Sequence, residues 1–153
     1  KCAWLKDEAG FDAVIDYKLG DIAGQLKATA PEGIDVFFDA VGGETLDAVL
    51  MQMNRHARIV ICGAITQYEN IENPIGPGDY VQLVTQSCLI QGFTMRDYMH
   101  RSKEAFVDLL TWEHEGKIKF REHIVEGIEM FPEAVQMVYQ GKNHGKLMIK
   151  LVD

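Results

Sequence analysis

Apolar segments alternate with helix-forming segments in the first half of this chain, and this alternation limits the possible folds more than any other feature. The run Ile34–Asp39 is almost continuously apolar, as expected for a strand buried on both faces. The run Arg58–Gly63 has the same character. Between them lie apolar residues spaced as on one face of a helix, namely Leu46, Val49, Leu50 and Met53. Strands and helices that alternate across short glycine-containing turns predict a parallel sheet of the α/β class.

Further elements are predicted on both sides of this core. A helix at the beginning of the chain should end at Gly10, and a helix capped by Asp21 should end before Pro31. The other predicted elements are a strand at Asp12–Tyr17, a helix at Tyr80–Thr85, a strand at Leu89–Thr94, a helix from Ser102 to Gly116, a strand at Lys119–Val125, a helix from Pro132 through Tyr139 and a strand at Lys146–Val152.

Composition excludes several classes of partner. The chain has 15 lysine and arginine residues against 23 aspartate and glutamate residues, and its formal net charge is −8. A nucleic acid backbone would be repelled unless basic residues were clustered, and the sequence shows no such cluster. No apolar run approaches the roughly 20 residues that span a bilayer, so no membrane partner is expected. Three unpatterned cysteines, Cys2, Cys62 and Cys88, predict reduced thiols and a cytoplasmic location.

Few motifs point to chemistry. No GxGxxG follows a predicted strand, five scattered histidines predict no metal site, and the GxSxG of hydrolases is absent. The carboxyl ends of the predicted strands remain as candidate binding sites, because ligands of parallel sheets bind beyond those ends. These ends are Tyr17, Asp39–Gly43 and Cys62–Ala64. Their glycines would let a ligand approach the backbone, and they would equally well serve only to form tight turns.

Four ordered segments identify a family: Gly10–Lys18, Phe38–Gly43, Arg58–Ile65 and Gly141–Lys146. Together they closely resemble the prostaglandin reductase branch of the medium-chain dehydrogenase/reductase superfamily, and the likeness covers essentially the whole chain. The resemblance implies a C-terminal fragment with a partial, doubly wound Rossmann-type sheet that lacks its first βαβ segment. Residues 1–117 would be the C-terminal portion of the NADP-binding domain. Residues 118–153 would form a strand–helix–strand segment that returns toward the substrate domain.

The resemblance also implies a function and a site. The family is zinc-independent and uses NADPH to reduce the carbon–carbon double bond of α,β-unsaturated ketones and aldehydes. Lys1 and Tyr17 would lie beside the adenosine 2′-phosphate, and Asn143 would contact the cofactor. Ala40 stands where the family commonly has asparagine, so one side-chain hydrogen bond of about 1 kcal/mol would be lost. The residues on the nicotinamide side would be Cys62, Gly63, Ala64, Ile65, Thr66, Gln67, Tyr68, Phe93, Thr94 and Met95.

The resemblance makes Tyr68 the candidate catalytic group, because its hydroxyl could stabilise negative charge on the carbonyl oxygen of an enone or enal. Two other interpretations stay open. One is a quinone oxidoreductase or zinc alcohol dehydrogenase of the same superfamily. The other is a non-catalytic nucleotide-binding or assembly domain, which would require an open reading frame that begins close to Lys1.

The strand Leu89–Thr94 also carries a prediction about assembly. In the superfamily the equivalent edge strand often pairs with its copy across a two-fold axis, and unpaired edges favour such pairing in general. We therefore expect a homodimer. Because the phosphate-binding turn and the substrate domain would lie outside this chain, we expect the 153 residues alone to bind NADPH weakly and not to catalyse turnover.

Overall fold

The structure is a computed structural model that describes residues 1–68 and 72–151. The helices and strands in chain order are α1 (Cys2–Asp7), α2 (Ile22–Thr29), β1 (Ile34–Asp39), α3 (Gly43–Leu50), β2 (Met53–Ile61), α4 (Val81–Thr85), β3 (Leu89–Gly92), α5 (Ser102–His114), β4 (Glu122–Glu126), α6 (Phe131–Tyr139) and β5 (Lys146–Lys150). Within the described ranges, no helix is long and apolar enough to cross a membrane.

The chain divides into two compact units. The three-stranded unit comprises Cys2 and Phe11–Ser102. The two-stranded unit comprises Lys1, Ala3–Gly10 and the segment from Lys103 onward. The boundary between these units, at Ser102 and Lys103, differs from the domain boundary after residue 117 that the family resemblance implies. The boundary after residue 117 stays a prediction.

The three-stranded unit is a parallel sheet in the order β1-β2-β3, as the alternating pattern predicts. Phe38 lies opposite Val60, and Ile59 lies opposite Ile90. The core lies between this sheet and α3, and its buried members are Leu46, Val49, Leu50, Met53, Ala57 and Ile59. The predicted parallel α/β arrangement is therefore confirmed for this part of the chain.

Two details of this sheet differ from the prediction. Strand β1 is not buried on both faces, because Val36 is 57% exposed and Phe38 is 59% exposed, whereas Phe37 packs against the core. A strand is buried on both faces only when helices cover both, and the buried core here lies on the α3 face alone. In addition, Met53 does not extend the stripe of α3 but begins β2, where its side chain still joins the core.

The strand predicted at Asp12–Tyr17 does not form. Residues 12–16 have no regular structure, and Tyr17 begins a 3-10 turn that ends at Leu19. A strand exists only through hydrogen bonds to a neighbour, and β1 pairs with β2 alone among the described strands. The segment is held instead by the Gln25 side chain, which accepts from the Asp16 amide at 2.9 Å and donates to its carbonyl at 3.0 Å.

The two-stranded unit contains the parallel pair β4 and β5, which α6 connects. Pro132 lies in the first turn of α6, and Gly141 follows the helix with φ of 61°. Both positions match the expected helix signals. The first of the two strands begins later than predicted, at Glu122, and the second ends earlier, at Lys150. Val152 of the predicted final strand lies outside the described residues.

Candidate functional site

The loops that follow β1 and β2 are tied together at the carboxyl end of the sheet. The Cys62 amide donates to the Asp39 carbonyl at 2.7 Å. The Thr66 amide and the Thr66 hydroxyl both donate to the Val41 carbonyl, at 3.2 and 2.7 Å. The Ile65 amide completes the contact by donating to the Ala40 carbonyl at 3.5 Å. The two loops, Ala40–Gly43 and Cys62–Tyr68, therefore form one braced edge, which we call the strand-end edge.

Glycines at the strand-end edge have two different roles. Gly42 has φ of 73°, a conformation that L side chains rarely adopt, so its turn requires glycine. Gly63 has no positive φ, so its turn does not require glycine. A methyl group added at Gly63 would lie 3.4 Å from the Ala40 carbonyl oxygen and 3.5 Å from the Tyr68 hydroxyl. An alanine at Gly63 would therefore be in ordinary van der Waals contact with both atoms, and glycine keeps the Tyr68 hydroxyl close to bare backbone.

The predicted nicotinamide-side residues Phe93, Thr94 and Met95 lie at the same edge of the sheet. The Phe93 amide donates to the Ile61 carbonyl at 3.2 Å and so continues β3 beside the tip of β2. The Phe93 ring packs edge-on against Tyr98, with centroids 5.6 Å apart. Thr94 caps the following 3-10 turn through a reciprocal hydrogen-bonded box with Asp97, and Met95 is the first residue of that turn. These contacts fix Phe93, Thr94 and Met95 next to the strand tips.

A cavity of about 490 Å³ opens beside this edge, between the start of α3 and the loop that contains Ile75, Gly76 and Pro77. Its lining includes three residues predicted at the nicotinamide side, Ala64, Thr66 and Gln67. Two side chains hold the loop in place: Gln67 accepts from the Ile75 amide at 3.0 Å, and Asp47 accepts from the Gly78 amide at 2.8 Å. The strand-end edge thus borders a half-open cavity that could hold a small molecule.

Two parts of this lining were not among the predicted site residues, although Asp39 belongs to a predicted strand end. Asp39 is only 1% exposed, and its Oδ1 accepts from the amides of Val41 and Gly42 at 2.8 and 2.9 Å. Its Oδ2 has no hydrogen-bond partner among the described residues. An acid at the end of an apolar strand was the available signal. The segment Ile75–Pro77 also lines the cavity, and it contains no motif that would have indicated a binding role.

Three predicted cofactor residues, Lys1, Tyr17 and Asn143, take no part in the contacts described above. Tyr17 belongs to the three-stranded unit and is exposed in its 3-10 turn. Lys1 and Asn143 belong to the two-stranded unit, where they meet at the loop that precedes β5. The Lys1 ammonium donates to the Gly141 carbonyl at 2.8 Å, and the Asn143 amide group donates to the Gly145 carbonyl at 2.8 Å.

Positively charged groups act on His144, which lies in the same loop. The pKa of His144 lies below its ordinary value of 6.5. The largest cause is partial loss of hydration, followed by repulsion from Arg121, the α-amino group of Lys1, the Lys1 side chain and His123. His144 is exposed, so these neighbours surround it without enclosing it.

The described residues contain no group of three or more histidine, cysteine, aspartate or glutamate side chains that could hold a metal ion. All three cysteines are free thiols.

Comparison with known proteins identifies the family. The family pattern described as "Zinc-binding dehydrogenase" matches residues 9–149. The chain belongs to the zinc-binding dehydrogenase family. Prostaglandin reductase 1 of Bos taurus is 40% identical to it, over 98% of this chain and 46% of that protein. The NADPH-dependent curcumin reductase of Escherichia coli (strain K12) is 38% identical, over 99% of this chain and 45% of that protein.

A solved structure extends this family assignment to the fold. The crystal structure of CurA from Vibrio vulnificus in complex with NADPH superposes with a TM-score of 0.90 at 40% identity, over 99% of this chain and 47% of that one. The resemblance to the prostaglandin reductase branch of the medium-chain dehydrogenase/reductase superfamily is confirmed, and so is the partial Rossmann-type fold. The chain spans less than half the length of these relatives.

Proposed function

We propose that this chain is the C-terminal part of an NADPH-dependent oxidoreductase that reduces the carbon–carbon double bond of α,β-unsaturated ketones or aldehydes. The observation that carries the proposal is the strand-end edge, in a chain whose backbone follows that of an NADPH-bound CurA at a TM-score of 0.90. The names of the prostaglandin and curcumin reductases support the same reaction class.

The edge fits a dinucleotide in two respects. Gly63 is partly exposed and has no side chain, so it leaves backbone that a ligand can approach at the end of β2. The hydrogen bonds from Cys62, Ile65 and Thr66 to the β1 loop make that surface rigid before anything binds. NADPH, when bound, supplies a hydride to the substrate. We propose that the residues on the nicotinamide side, Cys62–Tyr68 and Phe93–Met95, orient it.

Tyr68 is the proposed catalytic residue. When an enone is reduced at its β-carbon, negative charge develops on the carbonyl oxygen, and a hydroxyl donor placed there stabilises it. The Tyr68 hydroxyl lies over Gly63 at the strand-end edge, and the residue is exposed to an incoming substrate. Phe93 and Tyr98 present aromatic surface along the neighbouring strand tip.

The reaction class is tested on the full-length protein that contains this chain. Oxidation of NADPH is followed by its near-ultraviolet absorbance against a panel of enals, enones, quinones and simple aldehydes, and the assay is repeated with NADH. We expect turnover with enals and enones and a preference for NADPH. Turnover of quinones alone, or of simple aldehydes only after zinc is added, would replace the proposal by one of the two enzyme alternatives.

The role of Tyr68 is tested by Tyr68→Phe, with Tyr80→Phe as the control at another exposed tyrosine of the same unit. Loss of a hydroxyl donor to a developing oxyanion lowers kcat by about 10²-fold. We expect that loss with an unchanged KM for NADPH, whereas Tyr80→Phe retains full activity. A Tyr68→Phe enzyme with normal kcat would remove Tyr68 from the mechanism.

The remaining proposals concern cofactor binding, assembly and location. We propose that Lys1 and Tyr17 contact the 2′-phosphate, that Asn143 contacts the cofactor, and that the enzyme is zinc-independent and cytoplasmic. The 153-residue chain alone should bind NADPH only weakly, and a sub-micromolar affinity by calorimetry would contradict this. We also propose a homodimer through β3, which lies at the edge of the described sheet. A purely monomeric species in analytical ultracentrifugation at micromolar concentration would rule it out.

A further inference from the structure

The cavity beside α3 continues the apolar core of the three-stranded unit to the ends of its strands. Ile59 of β2 is fully buried in that core, and Ile61, two positions further along the strand, lines the cavity. Side chains two positions apart lie on the same face of a strand, so the cavity lies on the α3 face of the sheet. Ile90, which lies opposite Ile59 in β3, and Leu46 of α3 also line it. The apolar part of a ligand would therefore meet an existing apolar layer there.

The last position of this layer in β1 is an acid. Asp39 lies two positions after Phe37, which packs against the core, and it pairs in register with Ile61. Asp39 is among the residues that line the cavity, and it is 1% exposed. Its Oδ1 accepts from the amides of Val41 and Gly42, whereas its Oδ2 has no hydrogen-bond partner among the described residues. Because a buried polar atom without a partner costs free energy, Oδ2 is an acceptor that a ligand could satisfy.

The other charged side chains of the cavity are also acids. Glu44 lies in the first turn of α3, and Asp47 follows about one turn later on the same helix. Asp47 uses its Oδ1 to accept from the Gly78 amide at 2.8 Å. No lysine, arginine or histidine is found among the described residues that line the cavity. The described part of the chain also holds no cluster of acids suited to a metal ion, so the cavity favours a larger, organic cation.

The cavity has the size and the fixed walls of a small-molecule site. Its volume of about 490 Å³ lies within the range of about 300–1,000 Å³ that is usual for ligand pockets. The Gln67 side chain accepts from the Ile75 amide at 3.0 Å, which holds the outer loop. The Thr66 hydroxyl donates to the Val41 carbonyl at 2.7 Å, which holds the loop after β2. Because both loops are already held, little conformational freedom is lost when a ligand binds.

The cavity is separate from the surface that we propose for the nicotinamide. Gly63, Tyr68 and Phe93 are absent from the described residues that line it. The Phe93 ring contacts Phe38, with centroids 6.2 Å apart, and Phe38 alternates with the core-facing Phe37 along β1. These aromatic rings therefore lie on the face of the sheet opposite to the cavity. A ligand of the cavity is an addition to the proposed function and does not depend on it.

We propose that this cavity binds a primary alkylammonium compound, with its ammonium group among the three carboxylates and its alkyl chain along the apolar layer. An ammonium group has three donors, which suits the Oδ2 atom of Asp39 together with the carboxylates of Glu44 and Asp47. Charge-assisted hydrogen bonds of this kind are about twice as strong as neutral ones. The alkyl chain would remove its methylene groups from water against Leu46 and Ile61, a contact that a hydrated metal ion cannot make.

The site is tested on the full-length protein that contains this chain, through the NMR signals of its isoleucine δ1 methyl groups. The probes are hexylammonium, hexanol and hexanoate at neutral pH, which share an alkyl chain and differ in charge. We expect hexylammonium to shift the signals of Ile61 and Ile90 in a saturable manner and to leave that of Ile124, in β4, unchanged. Hexanol should bind at least about fivefold more weakly, and hexanoate should not bind. Equal or tighter binding of hexanol or hexanoate, or no shift with hexylammonium, would overturn the proposal.

The buried carboxylate is tested by Asp39→Asn, with Glu32→Gln as the matched control. Both substitutions remove one acid from the three-stranded unit, but Glu32 is exposed and does not line the cavity. Asp39→Asn keeps an oxygen that can accept from the Val41 and Gly42 amides. We expect it to weaken hexylammonium binding at least about tenfold, whereas Glu32→Gln leaves binding unchanged. An Asp39→Asn protein that binds hexylammonium as tightly as the Glu32→Gln protein would contradict the proposal.

A second variant and a shorter probe keep the test decisive if Asp39→Asn does not fold. Glu44 is exposed, so Glu44→Gln should weaken hexylammonium binding by about twofold to fivefold, the range of an exposed ion pair. Butylammonium should bind more weakly than hexylammonium by up to about fourfold for each methylene removed. An affinity that neither change alters would mean a diffuse attraction to the acidic chain, and the site would be rejected.

Saturating NADPH separates this site from the cofactor site. Ala64, Thr66 and Gln67 line the cavity and also belong to the proposed nicotinamide side. Because the cavity and the aromatic rings lie on opposite faces of the sheet, we expect hexylammonium to bind equally well with and without NADPH. Competition between the two would assign the cavity to the cofactor site and reject the proposal. A protein that binds hexylammonium here but reduces no enone would retain this site and lose the proposed function.

Discussion

The two units of this chain differ in how much apolar surface they bury. The three-stranded unit has a contiguous core of six buried residues that joins α3 to β2, and in it Ile59 is completely inaccessible. Among the described hydrophobic residues of the two-stranded unit, only Ala134 is buried, and Phe106, Leu110 and Trp112 of α5 are all exposed. The difference indicates that the three-stranded unit is stabilised mainly by side-chain packing. The two-stranded unit is stabilised mainly by strand pairing and by tight contacts within its loops.

The largest expected effect compares two isoleucines in parallel strands. Ile59→Ala in β2 should lower the free energy of unfolding of the three-stranded unit by about 2–5 kcal/mol, because it leaves a cavity in the core. Ile124→Ala in β4, where the side chain is 54% exposed, should cost less than about 1 kcal/mol. Urea denaturation of both variants measures the difference. Equal losses would show that the two-stranded unit is also stabilised by packing.

A glycine substitution tests whether loop geometry stabilises the two-stranded unit. Gly145→Ala combines a positive φ with a collision against the Arg121 carbonyl, and we expect a loss of about 3 kcal/mol. Gly116→Ala is the control, since it has a similar φ of 70° but open space around the position, and it should cost about 1 kcal/mol. Thermal melts followed by circular dichroism compare the two. If both lose the same amount, backbone strain alone accounts for Gly145.

Substitution of Asp39, the buried acid at the strand-end edge, should lower the free energy of unfolding of the three-stranded unit by a smaller amount. Asp39→Ala removes the acceptor of two amide groups and should cost about 2 kcal/mol. Asp39→Asn keeps one oxygen acceptor in the same place, so we expect most of the stability to remain. Chemical denaturation of both variants is the measurement. An Asn variant as unstable as the Ala variant would show that the charge of Asp39, rather than its hydrogen bonds, is what matters.

The smallest effect is expected from a surface ion pair of the two-stranded unit. Lys119 lies 3.2 Å from Glu8, and about half of each side chain is exposed to solvent. Lys119→Ala should therefore change the free energy of unfolding by less than about 0.5 kcal/mol. Lys117→Ala, which removes the pair with Glu115, serves as the comparison. A loss above about 1 kcal/mol at Lys119 alone would mean that the contact between α1 and the segment before β4 supports the unit.

Local signals predicted much of the secondary structure. The Asp21 carboxylate caps α2 by accepting from the Gly24 amide at 3.1 Å, as expected. The positive φ values of Gly116 and Gly141 confirm the predicted ends of α5 and α6, whereas α1 ends at Asp7, before the predicted Gly10. These features depend on residues a few positions apart, so the sequence is sufficient to find them. The prediction of a strand at Asp12–Tyr17 was wrong, because a strand forms only beside a neighbouring strand and the local pattern does not specify that neighbour.

The candidate site was predictable only in part. The family resemblance implied Cys62–Tyr68 and Phe93–Met95, and both segments lie at one edge of the three-stranded sheet. The sequence alone could not separate the two roles of the glycines, which differ because Gly42 needs a positive φ and Gly63 does not. The sequence could indicate Asp39 as an acid at a strand end but not its burial, and it could not indicate the basic residues around His144, since Lys1, Arg121 and His144 are far apart in the chain.

The amino-acid sequence by itself determined the parallel α/β class, the family and the ends of most helices, because periodicity, capping residues and turn glycines act within a few residues. Only the tertiary structure decided which faces of β1 are covered, which side chains line the cavity beside α3 and which charges surround His144. Burial and electrostatic fields are sums over atoms from distant parts of the chain, so they exist only once those parts have come together.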